Sequence, residues 1–283
     1  MKKISYFILM LLTAVAMAGC SNIAEGDRVV YVESKVTPDD KDAEYDAPVT
    51  PVAQRVLIED HTGQECVNCP DAARMIEGFV ATYGSRVVPV AIHSAALGIM
   101  EPQGLGTELG NTYYKHWNVV GKPSGLINRI SDGSSVVFDR TLWPAALKYV
   151  LEMTTPLDVR VKFRADAANG SQALVDVKVI CTKAGAAKSG KLQVWVTEDG
   201  IVAEQLGASG KVADYRHNHV LRAAVNGDWG EDVSVSGLGD AKEFHYKLPL
   251  KPAWKKENLS IVAFVYSSER VEQVVAKKMK NEK

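Results

Sequence analysis

The hydrophobic positions of the chain switch period several times. Residues 54–62 carry the apolar run Val56-Leu57-Ile58 and end in a turn at Thr62-Gly63, which reads as a buried strand. From Pro70 the spacing becomes helical, with Ala72, Ile76, Phe79, Val80 and Tyr83 on one face and Gly84 as the stop. Pro70 suits a first helical turn, where its missing N–H is no loss. Residues 87–93 read as a second buried strand in which Pro89 argues for an edge position or a bulge. Residues 94–110 are irregular, 112–117 a short helix, and 119–129 a turn feeding a strand. Residues 139–153 form a closing helix capped by Asp139, with Leu142, Ala146, Tyr149 and Val150 on its inner face. After Pro156 the period is two. Leu157, Val159, Val161, Phe163 and Ala165 alternate with Asp158, Arg160, Lys162, Arg164 and Asp166, giving one buried and one wet face. Asn169-Gly170 is a hairpin signal. The following strand puts Val175, Val177, Val179 and Cys181 inward, and further strands fall at 192–197, 217–225, 243–250, 259–266 and 271–276.

These patterns predict an α/β unit over residues 53–153 and an antiparallel immunoglobulin-like β-sandwich over 154–283. The antibody Cys…Trp…Cys spacing is absent, so only the architecture is implied. At the other end, Lys2 and Lys3 precede an apolar run at 4–16 that is too short to span a bilayer. Met17-Ala18-Gly19-Cys20 follows and resembles a bacterial lipobox. The resemblance implies a signal peptide over 1–19, cleavage before Cys20, and acyl chains on Cys20 that hold the protein on a membrane. Ser21 stands where an Asp would signal inner-membrane retention, so the outer membrane is expected, with its face open. Residues 20–52 are charged, Pro-rich and poor in bulky apolar residues, and read as a solvated lipidated tether, with an edge strand at 29–32 as an option. The acids within it lack the fixed offsets of a calcium loop.

The formal net charge of −1 over 283 residues gives no electrostatic case for nucleic acid. With Cys20 assigned to lipid, Cys66, Cys69 and Cys181 remain. Cys181 lies on an apolar strand face and behaves as a core residue. Cys66-Val67-Asn68-Cys69 sits at the start of a helix, a redox or metal signal. Free N–H groups and the macrodipole of a first turn stabilise a thiolate, so Cys66 would be the nucleophile and Cys69 the resolving thiol. The competing reading is a permanent disulfide that staples the helix start. Glu65 supports it, because its charge opposes a thiolate, and so does the lack of an obvious electron donor at an outer membrane. A second ligand pair at zinc spacing is missing. His217 and His219, two apart on a predicted strand, share a face but lack a further ligand, so no metal and no cofactor are expected. His61 and His93 flank the cysteine region as packed or solvated residues. Tyr113, Tyr114 and Trp117 read as core or as the rim of a peptide groove.

The cysteine region resembles thioredoxin-like proteins. A strand precedes the Cys-x-x-Cys and a helix follows. Asp60 lies six residues before Cys66, where thioredoxins keep a buried Asp, and Gly121-Lys122-Pro123-Ser124 looks like the turn whose cis proline faces the disulfide. The resemblance implies a thioredoxin-like fold for 53–153, Asp60 as proton relay to Cys69, and the Lys122 and Pro123 backbone as a platform for an extended peptide. Lys122, if near, would also lower the Cys66 pKa. The wider chain resembles the twenty-eight-kilodalton, Omp28-related outer-membrane lipoprotein family. The lipobox, Glu59-Asp60-His61-Thr62-Gly63 with Cys66-Val67-Asn68-Cys69-Pro70, Pro123 with Ile127-Asn128-Arg129, and Asp214-Tyr215-Arg216-His217-Asn218-His219-Val220-Leu221-Arg222 carry that resemblance. It implies an outer-membrane lipoprotein, in a family usually discussed as adhesins or receptors. Three functions follow as expectations: thiol–disulfide exchange on extracytoplasmic proteins or peptides, a surface adhesin or receptor with a structural disulfide, or a homodimeric assembly component. The membrane is a partner through Cys20.

Overall fold

The computed structural model describes residues 30–31 and 41–280, so Cys20 and the lipobox lie outside the described residues. The elements in chain order are β1 (Val30–Tyr31), β2 (Val56–Thr62), α1 (Cys69–Tyr83), β3 (Val87–His93), α2 (Glu108–His116), β4 (Ser124–Ile127), β5 (Phe138–Asp139) and α3 (Trp143–Leu151). Strands then dominate: β6 (Leu157–Asp166), β7 (Asn169–Cys181), β8 (Ala187–Glu198), β9 (Ile201–Gly207), β10 (Gly210–His217), β11 (Val220–Ala224), β12 (Glu231–Ser236), β13 (Ala241–Pro249), β14 (Leu259–Tyr266) and β15 (Val271–Lys278).

Among the described residues the strands form three sheets. One has the order β1-β13-β7-β6, one is the β9–β10 pair, and the third runs β15-β14-β8-β11-β3-β2-β4-β5 with β12 also on β8. The first and third sheets face each other across a core built from inward residues of β6, β7 and β13 on one side and β8 and β14 on the other, Val175, Val177, Val194 and Ile261 among them. The sandwich expected from the period-two pattern is therefore present. It is not a separate module, because its second sheet continues into the first half of the chain. β11 pairs in parallel with β3 at Val220–Ala91, where the Ala91 N–H donates to the His219 carbonyl at 2.8 Å.

That continuity explains Pro89. β3 is central, paired along its full length with β2. In a parallel strand alternate N–H groups point to the same edge, so the Pro89 nitrogen faces the β11 side, where the pairing is confined to Ala91. No ladder bond is lost, and the expected edge or bulge is not needed.

The polar face of β6 departs from the sequence reading. Asp158, Arg160 and Lys162 are buried, covered by residues 41–48 of the expected solvated tether. Arg160 donates to the carbonyls of Tyr45, Ala47 and Pro48 and holds Asp158 at 2.7 Å. Tyr45, 3% exposed, lies under the Lys162 and Lys178 ammonium groups. The composition marks this stretch as poor in apolar residues, but it packs by capping a charged sheet face with backbone carbonyls.

Three smaller differences have local causes. The β6–β7 turn is Ala167-Ala168, two residues ahead of the expected Asn169-Gly170, because Asp166 accepts from the Ala168 N–H and Asp166 pairs with Asn169. α3 buries Trp143, Leu147 and Val150, leaving Leu142 and Tyr149 exposed. Its phase is set by Trp143, which packs on Gly125 of β4. His217 and His219 do not share a strand face, since the chain turns between β10 and β11 with His219 at φ +57°.

Candidate functional site

β2 runs into a turn at Gly63, where a Cβ would stand 2.1 Å from the Leu97 carbonyl oxygen, so only glycine fits. The turn continues as the Cys66 N–H donates to Gly63 O and the Cys69 N–H to Cys66 O, which starts α1 with Pro70 in its first turn. Cys66 and Cys69 form a disulfide with Cα atoms 5.4 Å apart. Both residues are 2% exposed, whereas Val67 and Asn68 between them are exposed. Cys181 is buried in the sandwich core, as its position on the β7 face predicts.

Asp60 projects from β2 on the same face as Thr62, and the register of β2 on β3 aligns these two with Ala91 and His93. All four line a cavity of about 180 Å³ that also includes Cys69 and, from the second half of the chain, Tyr215 and His217. The Asp60 side chain is buried and its Oδ1 has no hydrogen-bond partner among the described residues. Burial raises its pKa to about 7, against a smaller lowering by the Lys122 charge. His93 and His217 meet with ring centroids 5.5 Å apart, and one nitrogen of each lacks a described partner. Burial holds His217 at about 4 and His93 well below the ordinary histidine range, so both imidazoles are neutral. The cavity thus lies directly behind the Cys69 end of the disulfide, with neutral imidazoles beside Asp60 and with Arg74, Glu77 and Arg216 also in its lining.

On the other side of the cysteine turn lies Pro123. Its peptide bond with Lys122 is cis, and Ser124 pairs with His61 near the end of β2. Pro123 shares an open groove of about 760 Å³ with Asn68, Val120 and Val137. Val120 is 97% exposed. The Lys122 ammonium turns away into the protein, donating to Ser94 Oγ at 2.8 Å and to the Ala96 carbonyl. Burial lowers its pKa to about 8, with Asp60 opposing that shift. Lys122 is therefore electrostatically coupled to Asp60.

His61 sits on the opposite face of β2, packed edge-on to Tyr114 and kept neutral by burial. Beside it, Glu59 takes two bonds from Arg129, at 2.6 and 3.1 Å. Trp117, Phe264 and Tyr266 surround that guanidinium. Tyr113 is fully buried and Trp117 is in the same aromatic cluster, so these rings belong to the core. His219 instead bridges Asp199 and Glu77 at 3.2 and 3.6 Å, which ties the base of β10 to α1. No grouping of three or more His, Cys, Asp or Glu side chains suited to a metal occurs among the described residues.

The sequence reading missed the β9–β10 hairpin, which reaches the cysteine turn. The Leu206 N–H donates to Gln64 O at 2.7 Å, and Gln205 Nε2 donates to the carbonyls of Gly63 and Cys66 at 3.2 and 3.1 Å. Gln64 Nε2 returns a bond to Glu204 O. Residues 201–217 carry few bulky apolar side chains, so no strand period marked them. The one available signal was the Gly207-Ala208-Ser209-Gly210 turn, which periodicity does not weigh.

A family model described as outer membrane protein Omp28 matches residues 110–283, more than half of the chain. The structure of HBP35 of Porphyromonas gingivalis is similar with a TM-score of 0.64 at 16% identity, over 81% of this chain and 76% of that one. A domain of the outer membrane lipoprotein Omp28 from Porphyromonas gingivalis matches at 24% identity over 46% of this chain and 92% of that one, with a TM-score of 0.33. A protein of Agrobacterium tumefaciens matches at 16% identity over 82% and 97%, with a TM-score of 0.48. No curated protein sequence matches. The chain belongs to the Omp28 family and is an outer-membrane protein.

Proposed function

We propose that this outer-membrane protein carries out thiol–disulfide exchange on extracytoplasmic proteins, from a lipid anchor on Cys20. Residues 53–153 act as its thioredoxin-like unit. The observation that carries the reading is the pairing of the Cys66–Cys69 bond with a buried, unpartnered carboxyl, Asp60, lining the same cavity as Cys69.

In the oxidising direction, a partner thiolate attacks Cys66 Sγ. The Cys66–Cys69 bond breaks, its electron pair leaves on the Cys69 sulfur, and Asp60 gives that sulfur a proton. A second thiolate of the same partner then attacks the partner sulfur bound to Cys66. The partner leaves as a disulfide, and the cysteine pair is left reduced. In the reducing direction Asp60 takes the proton from Cys69 as that thiol attacks the mixed disulfide. A carboxyl that titrates near 7 serves both directions at neutral pH. The groove beside Pro123, with Val120 and Val137 in its lining, offers an extended peptide an apolar contact.

One observation favours the competing reading of a surface adhesin or receptor with a bracing disulfide: both cysteines are almost fully buried. Trapping in cells separates the two. A Cys69→Ala variant should accumulate mixed disulfides through Cys66, and the wild-type bond should have a reduction potential above about −300 mV. A potential below that value, with no trapped partner, would identify a structural bond.

A further inference from the structure

The β9–β10 hairpin stands apart from the rest of the chain in how it is held. It forms its own two-stranded sheet, with a register shift between Val212 and Tyr215. Isolated hairpins of this kind are marginally stable by themselves. None of its residues joins the three apolar cores among the described residues, and only Gln205 and His217 within it are buried. Its attachment to the cysteine turn is polar: the Leu206–Gln64 backbone bond, the Gln205 amide on the Gly63 and Cys66 carbonyls, and the Gln64 amide on Glu204. At its base, by contrast, Asn218 and His219 are fastened to Glu77 and Asp199. Two left-handed residues flank that base, Gly200 at φ +69° and His219 at φ +57°. A segment anchored at one end, free of core contacts and hydrogen-bonded to the backbone of the cysteine turn has the attributes of a low-stability opening unit.

We propose that the β9–β10 hairpin is a displaceable cover over Cys66, and that an extended segment of a cysteine-bearing partner protein lifts it and takes over its backbone bond to the Gln64 carbonyl. The exchange reading supplies its biological purpose, since a cover matters only over a bond that reacts. The Leu206 N–H donating to Gln64 O is a strand-type contact that any extended polypeptide reproduces without regard to sequence. The cover thus reconciles two facts that otherwise oppose each other, a disulfide at a helix tip beside an open groove and two cysteines sealed from solvent.

The test measures reduction of the Cys66–Cys69 bond by dithiothreitol in the full mature chain, followed by quenched thiol labelling. Dithiothreitol reduces any disulfide it can reach, so this result is independent of whether cellular partners are trapped by Cys69→Ala. With a cover, the wild-type rate levels off as dithiothreitol rises, because opening becomes limiting. Gln205→Ala, which removes that residue's two bonds to the turn and leaves the Gln64 amide on Glu204, should raise the rate at low dithiothreitol about fivefold to tenfold. Hydrogen exchange in the unaltered chain gives a second measure: the Leu206 amide should exchange at the same opening rate, far faster than the Val194 amide of the core. A wild-type rate that stays linear in dithiothreitol and equal to that of Gln205→Ala would overturn the proposal. So would a Leu206 amide as protected as Val194.

Discussion

Asp60 shows what a single position contributes. Its carboxyl is fully enclosed, lacks a described partner on Oδ1, and titrates near 7 instead of near 4. Between those values the folded chain holds a proton that the unfolded chain has lost. This contribution to stability is therefore complete below pH 4 and is lost as pH rises through about 7. Asp60→Asn should leave stability unchanged at pH 4 and raise it by about 2–4 kcal/mol at pH 8. Urea denaturation at the two pH values checks this, and equal effects at both would refute the pKa assignment. His93 and His217 work in the opposite sense. Their depressed values favour the folded chain above the ordinary histidine range, and that contribution is lost on acidification. Asp60 was legible from its spacing to Cys66. His93 and His217 were not legible as a pair, because they meet only through the docking of β10, a contact between residues more than a hundred positions apart.

At the scale of elements, the local signals that held were those with a steric cause. Gly63 and Gly84 mark the ends of β2 and α1 because the backbone there tolerates no side chain or needs a positive φ. Signals resting on polarity alone were misleading. The alternating charges of β6 suggested water, and residues 41–48 supplied carbonyls instead. The phase of α3 differs from its apolar spacing because Trp143 is the anchoring ring. It stacks against Gly125, where a Cβ would come within 2.7–3.0 Å of three atoms of the indole. Gly125→Ala should therefore destabilise the chain by about 1–3 kcal/mol through overpacking. It should also weaken the near-ultraviolet dichroism of Trp143. A neutral result would mean that α3 slides freely on β4.

For the whole molecule, the main surprise is that two expected domains share a sheet and a core. Leu57, Val88, Val90 and Ile92 from the first half pack with Trp195, Leu221, Phe264 and Val271 from the second. Asn128 fixes the same seam, accepting from the Leu57 N–H and donating to Val271 O. Such a shared core couples unfolding of the two halves. The full chain should melt in one calorimetric transition. A fragment of residues 53–153 alone should lack fixed near-ultraviolet dichroism, because the apolar face of β2 and β3 would be bare. Two separate transitions, or a well-ordered fragment, would refute this. The sequence could not disclose the seam, since a residue buried against a neighbouring strand and one buried against another domain leave the same apolar pattern.

The strip of chain at 41–48 has a practical consequence for anyone preparing a soluble version of this protein. The sequence invites trimming at residue 53, where the apolar pattern begins. A cut there would remove Tyr45 and the carbonyls that clothe Arg160, leaving a charged lattice on an uncovered sheet and a preparation prone to clumping. Starting the recombinant product ahead of residue 30 keeps that garment in place, together with the Val30–Tyr31 pairing on β13.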